Sequence, residues 1–162
     1  MVPVPFDWRR ASGADVSVLA AMYRDAALRL GPRVYTPEQA RAWASFADDE
    51  PAFREYVLNA DTWIAERAGD GRALGFCGVS TEGELREVHS LYVTPGRTRQ
   101  GIGGEMLRRT LLRAEADGAT RFAAWVTPFS RPLFLAAGFA LTRTVTEPFA
   151  GTLFERYRVE RG

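Results

Sequence analysis

The sequence predicts an α+β fold of about six to seven strands with several helices, on three observations. Helical periodicity dominates the first sixty residues, apolar or alternating runs of strand length dominate the rest, and one long amphipathic helix interrupts those runs after residue 102. With 162 residues, 46% of them apolar and 25% charged, the chain can enclose one core, and the reading is a single domain over 1–162.

Each element has a local reason. Trp8-Arg9-Arg10-Ala11 reads as a short strand, and Ser12 or Asp15 can cap a helix with Val16, Leu19, Ala20, Tyr23 and Leu28 on one face, ended by Gly31-Pro32. Thr36 as N-cap, Pro37 at the first helical position and Glu38-Gln39 in the first turn start a second helix that runs to about Ala47. Ala52 to Asn59 is a third, short one. Thr62 to Glu66 and Leu74 to Val79 form a hairpin around Gly69-Asp70-Gly71. Leu85 to Val93 follows, stopped by Pro95-Gly96, and a regular pleat would put Glu87, His89, Leu91 and Val93 on one face.

A helix then spans about Gly103 to Asp117, its apolar stripe made by Ile102, Met106, Leu107, Leu111 and Ala114 and its end marked by Gly118. Phe122 to Val126 is continuously apolar, as a strand buried on both faces would be. Arg131 to Ala137 is a short helix closed by Gly138, with Ser130 at its N-cap, and Phe139 to Val145 and Thr152 to Val159 are the last strands. Trp63, Phe76 and Trp125 read as core, and Cys77 as a buried thiol.

Composition excludes several functions. A formal charge of +1 gives no global field toward nucleic acid or an anionic membrane, so neither is expected as a partner. One cysteine and one histidine cannot build a disulfide framework or a Cys/His zinc cluster, so no metal is expected. All 21 basic side chains are arginine, which removes a P-loop lysine and a Schiff-base lysine. The start of the sequence lacks the apolar stretch of a signal peptide and no run reaches the ~18 apolar residues of a membrane span, so a soluble, cytoplasmic protein is expected.

The informative stretch is Leu91-Tyr92-Val93-Thr94-Pro95-Gly96-Arg97-Thr98-Arg99-Gln100-Gly101-Ile102-Gly103-Gly104: a strand, a glycine-rich turn and a helix start. Free N–H groups at a helix N-terminus, the helix dipole and the absence of Cβ atoms suit a phosphate. Glu87 to Glu105 resembles the central motif of the GCN5-related N-acetyltransferases (GNAT), whose pyrophosphate loop has the form Gln/Arg-x-x-Gly-x-Gly/Ala. Gly101 and Gly103 hold the glycine positions, while Thr98 stands where glutamine or arginine is usual. Tyr35 to Trp43 is similar to a segment of a bacterial branch of that family.

The resemblance implies a three-layer arrangement: a mixed, mostly antiparallel central sheet with helices on both faces. It implies acetyl-CoA as co-substrate, with pantetheine along Leu91, Tyr92 and Val93 and the pyrophosphate near Thr98, Arg99, Gln100, Gly101, Ile102, Gly103 and Gly104. Ser130 and Phe134 would line the same cleft, and the strand ending at Trp125-Val126 would splay away to open it. The acyl group would pass to a primary amine of a small molecule or peptide by direct attack in a ternary complex. The alternative is an acyl-CoA-binding sensor module with weak or lost chemistry. Monomer and homodimer both remain open.

Amine acylation needs a base, and Glu87 and His89 are the candidates in that order, with a strand-end carboxylate paired to Arg86 or Arg121 as the structural reading of Glu87. The acid is less defined. Many relatives carry a tyrosine in the short helix where this chain has Phe134, so Tyr92, Tyr157 or solvent would protonate the leaving thiolate.

Overall fold

The computed structural model describes residues 4–97 and 100–162. Strand β1 (Phe6–Arg10) leads through a 3-10 turn at Gly13–Asp15 into α1 (Val16–Leu30). Asp15 carries that junction: its carboxylate accepts the Ser12 N–H at 2.8 Å and two Arg9 N–H bonds at 2.7 and 2.9 Å. A second helix, α2 (Pro37–Ser45), starts at the predicted capping box, the Gln39 N–H donating to Thr36 Oγ1 and the Thr36 N–H to Gln39 Oε1. Its chain continues as a 3-10 turn to Asp48, and Asp49 caps α3 (Glu50–Leu58) by accepting the Ala52 N–H. Leu28, read as a core position, is exposed, and Ala26 and Ala27 are buried instead.

The strands β2 (Asp61–Arg67), β3 (Ala73–Val79), β4 (Leu85–Val93), β5 (Arg121–Val126), β6 (Ala140–Phe149) and β7 (Thr152–Arg161) complete a seven-stranded sheet of order β1-β2-β3-β4-β5-β7-β6. Every neighbouring pair is antiparallel except β4–β5, which the crossover helix α4 (Ile102–Ala116) joins in parallel. A short helix, α5 (Arg131–Ala136), links β5 to β6. Helices cover both faces. On one, Met106, Leu107, Leu111 and Phe134 close a core over Val88, Phe122 and Val159; on the other, Leu19, Tyr23, Phe53 and Val57 close a second over Ile64 and Phe76.

Two features depart from the sequence reading. Strand β6 runs four residues past Val145, through Pro148 to Phe149; an edge strand has no ladder bond on its outer side for a proline to forfeit. Trp63 and Trp125 are only partly buried: Arg113 lies 4.1 Å above the Trp63 ring, and Arg156 4.7 Å from that of Trp125. Phe76 and Cys77 are fully buried as expected, and burial pushes the Cys77 thiol up to about 12.

Candidate active site

The phosphate-type turn has the backbone such a site needs. Gly101 sits at φ +78°, a conformation that costs a side chain ~1–2 kcal/mol, and directly precedes α4. The Glu105 N–H donates to Gly101 O at 3.1 Å, so the N–H groups of Ile102, Gly103 and Gly104 before it have no acceptor within the helix. The glycines differ in purpose. A Cβ on Gly104 would meet no protein atom within 4 Å, whereas one on Gly103 would fall 2.8 Å from Leu133 Cδ1, so Gly103 serves the packing of α4 on α5. Ile102 is core. Thr98 and Arg99, both expected at this site, lie outside the described residues.

The sheet opens beside this turn. Pairing between β4 and β5 is confined to Leu85–Arg121, Arg86–Phe122 and Glu87–Ala123; beyond Glu87, the only strand that β4 pairs with is β3. The free edge from Val88 to Val93 borders a cleft of about 110 Å³ lined by Ser90, Leu91, Tyr92, Val93, Ser130 and Phe134 among others. A larger cavity of about 400 Å³ lies on the α1–α3 side, under the β6–β7 hairpin. Trp43, His89, Tyr92 and Thr127 line both, so the two spaces meet at these four residues.

A β-bulge sorts the candidate bases. Gly78 pairs with Ser90 but Val79 with Val88, which leaves His89 as the extra residue. Val88, Leu91 and Val93 therefore pack toward α4, and Tyr92 toward α1. The expectation that Glu87, His89, Leu91 and Val93 share one face fails for this reason: Glu87, next to Val88, points to the face opposite Leu91 and Val93. Glu87 lines neither cavity, and its Oε1 accepts the Arg158 Nη1–H at 2.8 Å across β5. Its partner is thus neither Arg86, which donates to the Gly83 and Asp117 carbonyls, nor Arg121. The His89 side chain is exposed at the junction of the cavities, its carbonyl held by the Tyr56 hydroxyl at 2.9 Å.

The remaining site residues are sorted by the same geometry. Tyr92 stacks on Phe76 at 5.3 Å, and burial raises its phenol above the usual range. Ser130 occupies the N-cap position of α5, but its hydroxyl turns back to accept the Thr127 N–H at 3.1 Å, closing the β5–α5 turn. Phe134 packs edge-on against Phe139 at 5.1 Å and presents no polar atom to the cleft. Tyr157 lines neither cavity; its ring lies under Arg131. Sequence reasoning missed most of the larger cavity's wall, because Tyr23, Tyr35, Trp43 and Phe46 read equally well as core positions of helices and turns. Among the described residues no group of three or more His, Cys, Asp or Glu side chains is placed to hold a metal ion, and no helix is long and apolar enough to cross a membrane.

A split sheet, a helix N-terminus beside the split and two cavities that meet at one strand fit the fold of an acyl-CoA-dependent transferase. Residues 32–161 match the family model of the acetyltransferase (GNAT) domain, and the chain belongs to that family. A GCN5-related N-acetyltransferase from Rhodopseudomonas palustris is similar at 25% identity and TM-score 0.88, covering 99% of this chain and 98% of that one. PaiA N-acetyltransferase from Thermoplasma acidophilum, solved in complex with coenzyme A, shares 16% identity at TM-score 0.75, covering 98% and 99%. A phosphinothricin acetyltransferase from Sinorhizobium meliloti in complex with acetyl-CoA shares 22% at TM-score 0.71, covering 98% and 88%. No curated protein sequence matches the chain.

Proposed function

We propose that this acetyltransferase moves the acetyl group of acetyl-CoA to a primary amine by direct attack, with both substrates bound at once. One observation carries the reading: the open β4 edge beside the α4 N-terminus borders one cavity, a second lies under the β6–β7 hairpin, and the two meet at His89 and Tyr92. The residues fit acetyl-CoA, since the N–H groups of Ile102 to Gly104 suit its pyrophosphate and the unpaired backbone of Leu91 to Val93 suits its pantetheine. The bound thioester supplies the activated acetyl group.

The chain's own residues position the amine and move its protons. His89, at the junction, takes the proton from the amine nitrogen; Glu87 anchors Arg158 at the vertex of the split and acts as a positioning residue. This reverses the order expected from sequence. Tyr92, kept protonated by its burial, returns a proton to the departing sulfur, a role Phe134 cannot fill. Cytoplasmic placement accords with a single, buried, free thiol. The second reading, a sensor that binds acetyl-CoA without turnover, draws on Phe134 and Thr98.

Calorimetry with acetyl-CoA, followed by release of free CoA with an amine panel, separates the outcomes. Binding with amine-dependent release is expected. Binding with no release above the buffer rate would establish the sensor, and absence of binding would sink both.

A further inference from the structure

The larger cavity is walled by a closed circuit of aromatic rings. Going round it, Tyr23 meets Trp43, then Tyr35, Phe154, Phe149, Phe46 and Tyr23 again, with successive centroids 5.5 to 6.5 Å apart. Helices α1 and α2 and the turns flanking α2 supply four rings of the circuit, and the β6–β7 hairpin supplies two. Spacings in this range are those at which aromatic rings attract one another in offset or edge-on geometry, so a further ring entering the circuit finds the same partners.

One pair of opposite charges is matched beside it. Arg156 Nη1 donates to Glu147 Oε2 at 2.9 Å, so the two oppositely charged side chains at the hairpin end answer each other. Glu155 contributes to the lining, but strand alternation puts its carboxylate on the face of Tyr157, whose phenol it helps to raise. A carboxylate on the acceptor finds Arg156 already paired with Glu147, and a second ammonium finds Glu155 alone, on the face of Tyr157, so either added charge is costly to desolvate there. His89 stands where the cavity meets the acyl cleft.

We infer that the acceptor is an arylalkylamine: a primary amine that reaches His89 on a short, uncharged stem ending in an aromatic ring held by this circuit. The inference rests on the proposed acetyl transfer for its reacting end, while the ring subsite stands on the circuit itself. In the covalent step the amine nitrogen bonds to the acetyl carbon, the C–S bond breaks, the nitrogen's proton goes to His89 and the CoA sulfur takes a proton from the Tyr92 hydroxyl.

Four amines test it: 2-phenylethylamine, n-butylamine without the ring, phenylalanine with an added carboxylate, and 1,4-diaminobutane with a second cation. Each is titrated by calorimetry into the protein saturated with CoA, and its kcat/KM is measured by CoA release. 2-Phenylethylamine is expected to exceed each of the others by about tenfold or more in affinity and in kcat/KM. Phe149→Ala, at an exposed hairpin position, is expected to cut the ratio of 2-phenylethylamine to n-butylamine about threefold or more.

Equal binding of 2-phenylethylamine and n-butylamine, or a ratio that Phe149→Ala leaves unchanged, would overturn the inference. Preference for phenylalanine would overturn it in favour of Arg156 as a carboxylate site, and preference for 1,4-diaminobutane in favour of Glu147 as a cation site. If acetyl-CoA fails to bind, the transfer reading falls, and the calorimetric order of the four amines titrated into the free protein still decides the ring subsite.

Discussion

Glu87 and His89 are two residues apart, and one inserted residue separates their fates. Without the bulge, alternation would set both side chains on one face of β4. With it, His89 stands at the meeting point of the cavities and Glu87 faces Arg158. His89→Gln is therefore expected to lower kcat/KM by about 10²-fold or more and to flatten the acid limb of its pH profile, because an amide cannot take the proton. Glu87→Gln should lower kcat/KM less and leave that limb in place, since the pair holds geometry and not the proton. A pH profile of both variants checks this. Loss of the limb in Glu87→Gln, with His89→Gln normal, would restore the sequence-based order.

At the scale of elements, the N-terminus of α4 separates two kinds of glycine, and substitution can tell them apart. Gly101→Val places a branched side chain at φ +78°, so it should lose about 1–2 kcal/mol of stability and weaken acetyl-CoA binding about tenfold or more. Gly104→Ala meets no protein atom and gains about 0.5–1 kcal/mol of helix propensity, so its melting temperature should hold or rise while acetyl-CoA affinity falls. Unchanged affinity in both would remove the pyrophosphate from this turn. The turn was legible in the sequence because glycines, strand and helix are contiguous there. So were the helices, whose caps and periods are local, as at Thr36-Pro37. The bulge was not, because a register slip between β3 and β4 is a property of two strands. Nor was the aromatic circuit: Tyr23 and Phe154 are far apart in sequence, and each reads as an ordinary core residue until the hairpin folds over α2.

Across the whole molecule, exposed ion pairs set how the fold meets acid. Arg9 holds the Asp15 carboxyl down to about 2 and also contacts Glu66, tying β1, the start of α1 and β2 together. Arg108 and then Arg109 hold the Glu105 carboxyl down to about 2 at the start of α4, beside the phosphate-type turn. Both groups titrate lower in the folded chain than the ordinary carboxylate range near ~4, so the unfolded chain binds more protons between the two values. Their stabilisation is present in full above about pH 5 and is lost as pH falls from about 5 towards 2. Because these pairs are solvent-exposed, each contributes little, and added salt screens what it contributes. The melting temperature of the wild type is expected to be flat above about pH 5 and to fall through that acid window. Arg9→Met should lower the neutral plateau and shrink the fall, since Asp15 then titrates nearer its unfolded value and has less to lose. A variant curve that runs parallel to the wild type from pH 5 to pH 2 would show that Asp15 is not coupled to folding through Arg9.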